Sequence, residues 1–137
     1  IKEIIDEIRL KLNKGGSFFS WDPIAYNPVI NIYRRMAMGV RTVDEHPLTR
    51  HDINFICKRF SNSEIQFFWL TGLFIFLKFF IIDFSNPSKT RYWKKIVEEE
   101  DKYSSFLKIC HRCDQILFKI LPFLKYLTWN VAIRVTK

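Results

Sequence analysis

Glycine, cysteine and methionine are all scarce in this 137-residue chain. Its four glycines never stand in a G-x-G or P-loop spacing, so the chain carries no phosphate-cradling loop of the usual kind. Three cysteines cannot form a closed set of intrachain disulfides, which excludes a small disulfide scaffold. The chain begins at Ile1 without an initiator methionine and opens directly into a helical pattern, which is typical of a cut chain.

Apolar side chains, in contrast, are abundant: 48% of the residues are hydrophobic and 17% are aromatic. This share excludes an intrinsically disordered chain, and the length suits one domain. The net charge of +8 is uneven, because residues 1–66 carry ten basic and eight acidic side chains and residues 67–137 carry twelve and six. A basic segment rich in large apolar residues favours an anionic membrane surface over nucleic acid. The alternative is that lysine only keeps a phenylalanine-rich domain soluble.

The first half of the chain predicts helices alternating with strands. Ile4, Ile5, Ile8 and Leu12 predict an amphipathic helix that ends at a Gly-Gly turn, and residues 17–21 predict a buried parallel strand. A second helix starts at Asn27-Pro28; its apolar face is Val29, Ile30, Ile32, Tyr33 and Met36, while Arg34 and Arg35 project elsewhere. Thr49 and Asp52 have the spacing of a capping box, which predicts a third helix with Ile53, Ile56 and Phe60 facing inward.

The second half predicts a strand over residues 64–71, an apolar helix over 73–84 and a charged helix ending near Tyr103. The apolar run is shorter than the roughly 20 residues of a spanning helix, so a buried or interface-lying helix is favoured over a transmembrane one. A further helix, residues 105–121, has one apolar stripe that we expect to face the core: Phe106, Ile109, Cys113, Ile116, Leu117 and Ile120. Residues 128–136 alternate as a half-buried strand does.

Three groups of side chains are candidates for chemistry. Cys110 and Cys113 form a C-x-x-C, but a zinc site needs two more ligands and Cys57 is isolated, so we expect core cysteines and no metal. Arg41, Asp44, Glu45 and His46, together with the nearby His51, form a polar group in and beside a loop restricted by Pro47. This group suits acid/base chemistry or, alternatively, a loop whose polar groups only cap backbone. Asp22, Asn27, Tyr33 and Arg34 follow the carboxyl end of the first strand, where open α/β sheets bind ligands.

These residues resemble a known family. The segment LNKGGSFFSWDPIAYNPVINIYRR, followed by RTVDEHPLTRHDI, resembles the C-terminal half of bacterial class I S-adenosylmethionine-dependent methyltransferases. In one subgroup the helix starts with G-H-N-P, and the motifs L-Y-R-R and R-T-x-D-E-H-P-L follow it. Residues 26–28 of this chain keep the N-P of that start, but the chain differs at the first two positions of G-H-N-P. The matching positions are Asn27, Pro28, Asn31, Tyr33, Arg34, Arg35, Arg41, Thr42, Asp44, Glu45, His46, Pro47 and Leu48.

The resemblance covers residues 1 to about 72 and implies an α/β fold. That fold is the C-terminal part of a Rossmann-like doubly wound sheet of about three strands, the last two of which look like the antiparallel sixth and seventh strands. Residues 1–137 would form a single partial domain, with residues 73–127 a large hydrophobic helical insertion for which membrane association is an expectation. The donor site, with its glycine-rich loop, would precede Ile1, so this chain alone should not bind S-adenosylmethionine.

The resemblance also implies roles for individual residues. His46 is the expected base, because histidine ordinarily titrates near neutrality, and Asp44 and Glu45 are expected beside it. Asn27, Tyr33, Arg34 and Arg41 are expected to bind a small-molecule or lipidic substrate. The expected location is the cytoplasm, at or anchored in the inner membrane, with no nucleic-acid partner. Two alternatives stay open: a non-enzymatic basic module at a membrane surface, and an inactive relic.

Overall fold

A computed structural model describes residues 1–37, 46–86 and 89–137 of the chain. Its elements up to the second strand are α1 (Lys2–Lys11), β1 (Ser17–Pro23), α2 (Pro28–Met36), α3 (Arg50–Arg59) and β2 (Asn62–Phe68). Then follow a 3₁₀ turn (Thr71–Leu73), α4 (Phe74–Leu77), a π-helical turn (Lys78–Ile82), α5 (Tyr92–Glu98), α6 (Glu100–Ile120), a second 3₁₀ stretch (Pro122–Leu127) and β3 (Asn130–Thr136). The α/β class is confirmed, and a helical segment separates the last two strands.

The described strands form one sheet in the order β1-β3-β2, and β3 runs antiparallel to both neighbours. Ser17 and Asn62 both pair with Thr136, so β1 and β2 run parallel to each other on either side of β3. The sequence predicts a parallel first strand. Against β3 this prediction is wrong, because the two strands pair antiparallel. The half-buried character predicted for the last strand holds only in its second part: on the second face Asn130 and Ala132 are 6% and 8% exposed, whereas Arg134 is exposed.

The turn between α1 and β1 is fixed by its glycines and by the end of β3. Gly15 has a φ of +80°, which a residue with a Cβ rarely adopts. A Cβ on Gly16 would lie 2.9 Å from the carbonyl oxygen of Asn13. Lys137 then joins the turn to the sheet, since its carbonyl accepts from Gly15 N and its own N–H donates to Gly16 O, both at 3.0 Å.

One core lies between the sheet and the pair of helices α1 and α3. Its buried members are Ile5, Ile24, Leu48, Ile53, Ile56, Phe60, Val131, Ile133 and Val135. The predicted capping box of α3 is confirmed: Asp52 N donates to the Thr49 hydroxyl, and Thr49 N donates to the Asp52 carboxylate at 2.9 Å. Burial raises the pKa of Asp52, but the hydrogen bonds from Thr49 outweigh it and the pKa lies below its ordinary value. The inward positions of α3 are also confirmed.

A second core is largely aromatic and holds the apolar segment after β2. Its buried members are Ile30, Leu73, Ile75, Phe76, Phe79, Tyr92, Ile96, Tyr103 and Trp129. The ring centroids of Phe76 and Trp129 are 4.4 Å apart at a steep angle, an edge-to-face arrangement that aromatic pairs favour. Trp129 stands next to β3, so this core attaches the helical segment to the end of the sheet.

The helices after residue 90 differ from the prediction in two ways. The chain breaks at Glu99, with φ −107° and ψ 33°, so a short α5 and a 21-residue α6 replace the two predicted helices. The stripe predicted to face the core is mostly exposed: Ile109, Ile116 and Ile120 are 61%, 59% and 67% exposed. The buried side of α6 instead carries Tyr103, Cys110 and Asp114. Among the described residues, we find no helix with the length and hydropathy to cross a bilayer.

Candidate functional site

The carboxyl end of β1 meets the segment that leads into α3. Leu48 N donates to Pro23 O at 2.8 Å, and Ala25 N donates to Leu48 O at 3.1 Å, which makes a short parallel bridge just past the strand. Tyr26 accepts a hydrogen bond on its hydroxyl from Arg50 N at 3.0 Å. These contacts bring residues 46–50 beside the end of the strand that holds the half-buried Asp22. Of the two polar groups singled out from the sequence, His46 and Asp22 therefore lie near the same end of β1.

Asn27 occupies the start of α2 and is 4% exposed. Its Oδ1 accepts from Ile30 N at 3.0 Å, which makes it the predicted N-cap, and Pro28 stands at the first helical position as expected. Its Nδ2 donates to the carbonyl of Leu127, 100 residues away. The oxygen and the nitrogen of this side-chain amide are thus both hydrogen-bonded within the protein, and the bond to Leu127 joins α2 to the 3₁₀ stretch before β3.

Tyr33 and Arg34 lie on α2 but face different surroundings. The hydroxyl of Tyr33 accepts from Tyr92 N at 3.1 Å, and its ring stacks near Phe76 and Tyr92 with centroids 5.1 and 4.9 Å away. Arg34 is 7% exposed, so the prediction that it projects away from the core is wrong. Its guanidinium is held inside the protein, whereas Arg35 is exposed.

The loop that supplies the expected acid/base groups is described only at its end. Arg41, Asp44 and Glu45 lie outside the described residues, as does the predicted helix stop at Gly39. His46 is described and its side chain is exposed. Since Leu48 is bridged to the end of β1, His46 is two residues from a fixed point at the carboxyl edge of the sheet. An exposed imidazole at that edge is accessible to a ligand.

An apolar groove lies between α2 and the helical segment that follows β2. It has a volume of about 150 Å³ and is lined by Val29, Ile32, Tyr33, Met36, Phe76, Leu77, Phe80 and Tyr92. The first four line it from α2, where the sequence predicts their shared face, and Val29 and Ile32 stay 45% and 59% exposed. A groove of this size and lining suits an aliphatic or aromatic group rather than a charged one.

Asp114 is a buried charged residue that the sequence analysis missed. It is 1% exposed, and its carboxylate accepts from Leu70 N at 3.0 Å, from Thr71 N at 2.9 Å and from the Thr71 hydroxyl at 2.7 Å. These bonds hold the turn after β2, in which Trp69 has a φ of +66°. The available signal is that Asp114 is the only acidic residue between Lys102 and Ile120.

Asp83 forms a small ion-pair cluster with two lysines at the end of the apolar segment. Its carboxylate lies 3.0 Å from Lys78 Nζ and 3.1 Å from Lys95 Nζ. The hydrogen bond from Lys78, and then the one from Lys95, hold the pKa of Asp83 below its ordinary value. The cluster stands at the surface and joins the π-helical turn to α5.

The cysteines of the C-x-x-C, one turn apart on α6, differ in burial. Cys110 is buried and Cys113 is exposed, and both carry free thiols. Burial raises the pKa of the Cys110 thiol, although a hydrogen bond with Thr71 partly offsets the rise. The expectation that both pack in the core is wrong for Cys113. In the described ranges, no group of three or more His, Cys, Asp or Glu side chains is placed to hold a metal ion.

Comparisons with protein-family models, with curated proteins and with solved structures found no match to this chain.

Proposed function

We propose that this chain is the C-terminal, substrate-side part of an S-adenosylmethionine-dependent methyltransferase. The proposal depends first on the joint pattern N-P…Y-R-R and D-E-H-P-L, which resembles that family. The observation that supports it best is the antiparallel pairing of β2 with β3 along seven residue pairs, because the resemblance expects such a pairing for the last two strands of the fold.

The exposed surface of β1 is consistent with a partial domain. Phe19 and Trp21 are 62% and 45% exposed, and among the described strands β1 has a neighbour, β3, on one side only. Large exposed aromatic side chains beside a bare strand edge are unusual for a finished sheet. In the proposal, the other half of the domain covers this edge.

The methyl donor does not fit the residues present here. The chain has no glycine-rich loop after a strand, and Gly15-Gly16 instead form the turn that leads into β1. The proposal therefore assigns donor binding to the other half and derives no step for it in this chain. In the proposal, this chain contributes the residues that bind the methyl acceptor.

On the acceptor side, His46 is the proposed base. It is exposed beside the carboxyl end of β1, where it can take a proton from an acceptor hydroxyl or amine. Tyr33 forms part of the wall of the apolar groove, which would hold the hydrocarbon part of a lipidic acceptor. Asn27 supports this wall indirectly, because it caps the helix that carries Tyr33. Asp44, Glu45, Arg34 and Arg41 stay in the proposal as substrate-side groups on the strength of the resemblance alone.

The test is transfer of a labelled methyl group from S-adenosylmethionine to a lipid extract, catalysed by the protein expressed from its complete reading frame. We expect His46→Gln to lower the rate by roughly 10²- to 10⁴-fold, the range that general-base catalysis supplies. His51→Gln is the matched control, because His51 is also exposed but lies within α3. Equal rates for the two variants would contradict the assignment of His46, and no transfer by the unmodified protein would contradict the proposed function.

A further inference from the structure

The outward side of α6 carries an apolar stripe with regular spacing. Phe106, Ile109, Ile116 and Ile120 are 40%, 61%, 59% and 67% exposed, and the exposed Cys113 stands between them. The positions alternate steps of three and four, so all five share one helix face. We call this face the outer stripe. Because α6 already contacts the core through the adjacent side that carries Tyr103, Cys110 and Asp114, the outer stripe is not needed to bury the helix against the described residues.

The exposed surface around the outer stripe is basic. Along the part of α6 that carries the stripe, residues 106–120, the exposed charged side chains are Lys108, Arg112 and Lys119, while the exposed Glu100 and Asp101 stand in the first turn before it. The one acidic residue of that range, Asp114, is buried and bound to the turn after β2. Over residues 106–120 the stripe is therefore flanked by exposed positive charge, and the exposed negative charge of the helix is confined to its first turn, which favours an anionic partner along the stripe.

The charge also argues against a second copy of the chain as the occupant. Two outer stripes packed together would bring Lys108, Arg112 and Lys119 of both copies to one interface, and like charges at an interface oppose association. A lipid surface has no such conflict, since lysine and arginine can extend their charged ends to the headgroups while their stems cover apolar surface.

A second exposed apolar segment favours lipid over an acidic helix. Phe80, Ile81, Ile82 and Phe84 are 49%, 60%, 67% and 84% exposed. Consecutive side chains of this kind do not form the single face that a partner helix needs, but each of them can enter the boundary between lipid headgroups and acyl chains. Trp93, which is 44% exposed, is of the type enriched at that boundary.

We infer that the outer stripe of α6 is a docking surface for an anionic lipid bilayer, on which the helix lies parallel to the membrane plane. Phe106, Ile109, Ile116 and Ile120 would enter the headgroup region, and Lys108, Arg112 and Lys119 would contact the lipid phosphates and carboxylates. This inference does not depend on the proposed methyl transfer, because it uses residues outside the site at the end of β1.

Flotation with vesicles tests the inference on the 137-residue chain. We expect the protein to float with phosphatidylcholine vesicles that contain phosphatidylserine and to stay behind with phosphatidylcholine alone. The double substitution Ile109→Gln and Ile116→Gln should lower the partition constant at least about tenfold, because burial of these side chains in lipid is lost. The matched control is Ile4→Gln and Leu10→Gln on α1, which are 61% and 80% exposed and should leave flotation unchanged.

A charge variant provides a second test that does not alter apolar surface. Lys108→Gln with Arg112→Gln should weaken binding to the anionic vesicles by roughly 30-fold, the fold-change that corresponds to about 1 kcal/mol for each basic residue. Added salt should weaken binding of the unmodified protein in the same direction. Both substituted residues are exposed, and circular dichroism of each variant checks that the fold is kept.

Cys113 gives a direct readout of the outer stripe, since its thiol is exposed and Cys110 is buried. An environment-sensitive dye on Cys113, in a Cys57→Ser background, should shift its emission to the blue when anionic vesicles are added. Equal flotation with neutral vesicles, unchanged flotation of either test variant, or a dye that shifts only with an acidic amphipathic peptide would overturn the inference.

Discussion

Replacing Asp114 by alanine removes the acceptor of three hydrogen bonds that hold the turn between β2 and the helical segment. The carboxylate is 1% exposed and receives two backbone N–H groups, of Leu70 and Thr71, and one hydroxyl. A hydrogen bond to a charged group contributes about 1.5 kcal/mol or more, and alanine recovers about 0.7 kcal/mol through its better helix propensity. The expected loss in the free energy of unfolding is therefore about 4 kcal/mol.

A loss of this size is a large share of the stability of a typical domain. For a chain of this length it corresponds to a fall in the melting temperature of roughly 14 °C. Urea unfolding followed by circular dichroism measures the free energy, and a thermal scan measures the temperature. Asp114→Asn should lose about half as much, because one amide oxygen remains as an acceptor.

Gln115→Ala is the control, since Gln115 is the exposed neighbour on the same helix. It should change the free energy of unfolding by no more than about 0.5 kcal/mol. If Asp114→Ala costs less than about 1 kcal/mol, the carboxylate does not hold the turn, and the reasoning from burial and hydrogen bonding is refuted.

Two further substitutions test other contacts. Asn27→Ala should cost about 2–3 kcal/mol in urea unfolding, because it removes the N-cap and leaves the carbonyl of Leu127 without its donor, whereas Asn27→Ser should keep the cap and lose about half as much. Equal losses for the two variants would mean that the cap contributes nothing. Asp83→Asn tests a pH dependence. Because the pKa of Asp83 is lower in the folded protein than its ordinary value of 3.8, the ionised carboxylate stabilises the fold at a pH above 3.8. This stabilisation is lost as the pH falls through the pKa of the folded protein. The difference in melting temperature between the unmodified protein and Asp83→Asn should thus shrink on acidification, and a constant difference would contradict the ion-pair explanation.

The features that the sequence predicts correctly are encoded by neighbouring residues. The capping box at Thr49 and Asp52 and the Asn27-Pro28 helix start each involve residues at most three positions apart. Their hydrogen bonds are local, so the residue types alone fix them. The same holds for the turn at Gly15, whose positive φ only glycine adopts readily.

The features that the sequence analysis missed depend on distant contacts. Helical periodicity identifies the outer stripe of α6 but does not say whether the protein or another surface covers it, and here an adjacent side of the helix faces the core. Asp114 binds a turn more than 40 residues away, so its isolation among basic and apolar neighbours marks it as unusual without identifying its partner. Likewise, the alternation of residues in β3 does not show that this strand lies in the middle of the sheet, between β1 and β2. Nor does it show that the second face of the strand is buried at Ala132.

In the candidate site, too, some features follow from neighbouring residues and others from distant contacts. The sequence places His46 and Asn27 near the end of β1, and the bridge from Leu48 to that strand end is consistent with this placement for the described residues. The internal use of both ends of the Asn27 amide, and the burial of Arg34, follow only from the tertiary packing.

Calorimetric titration of S-adenosylmethionine tests the proposed function most directly. It should be carried out on the protein from the complete reading frame and, in parallel, on the 137-residue chain alone. The account predicts saturable binding of one donor by the complete protein and no heat of binding with the chain alone, which has no glycine-rich loop. Absence of binding by the complete protein would contradict the assignment as a methyltransferase, and tight binding by the chain alone would contradict the placement of the donor site outside it.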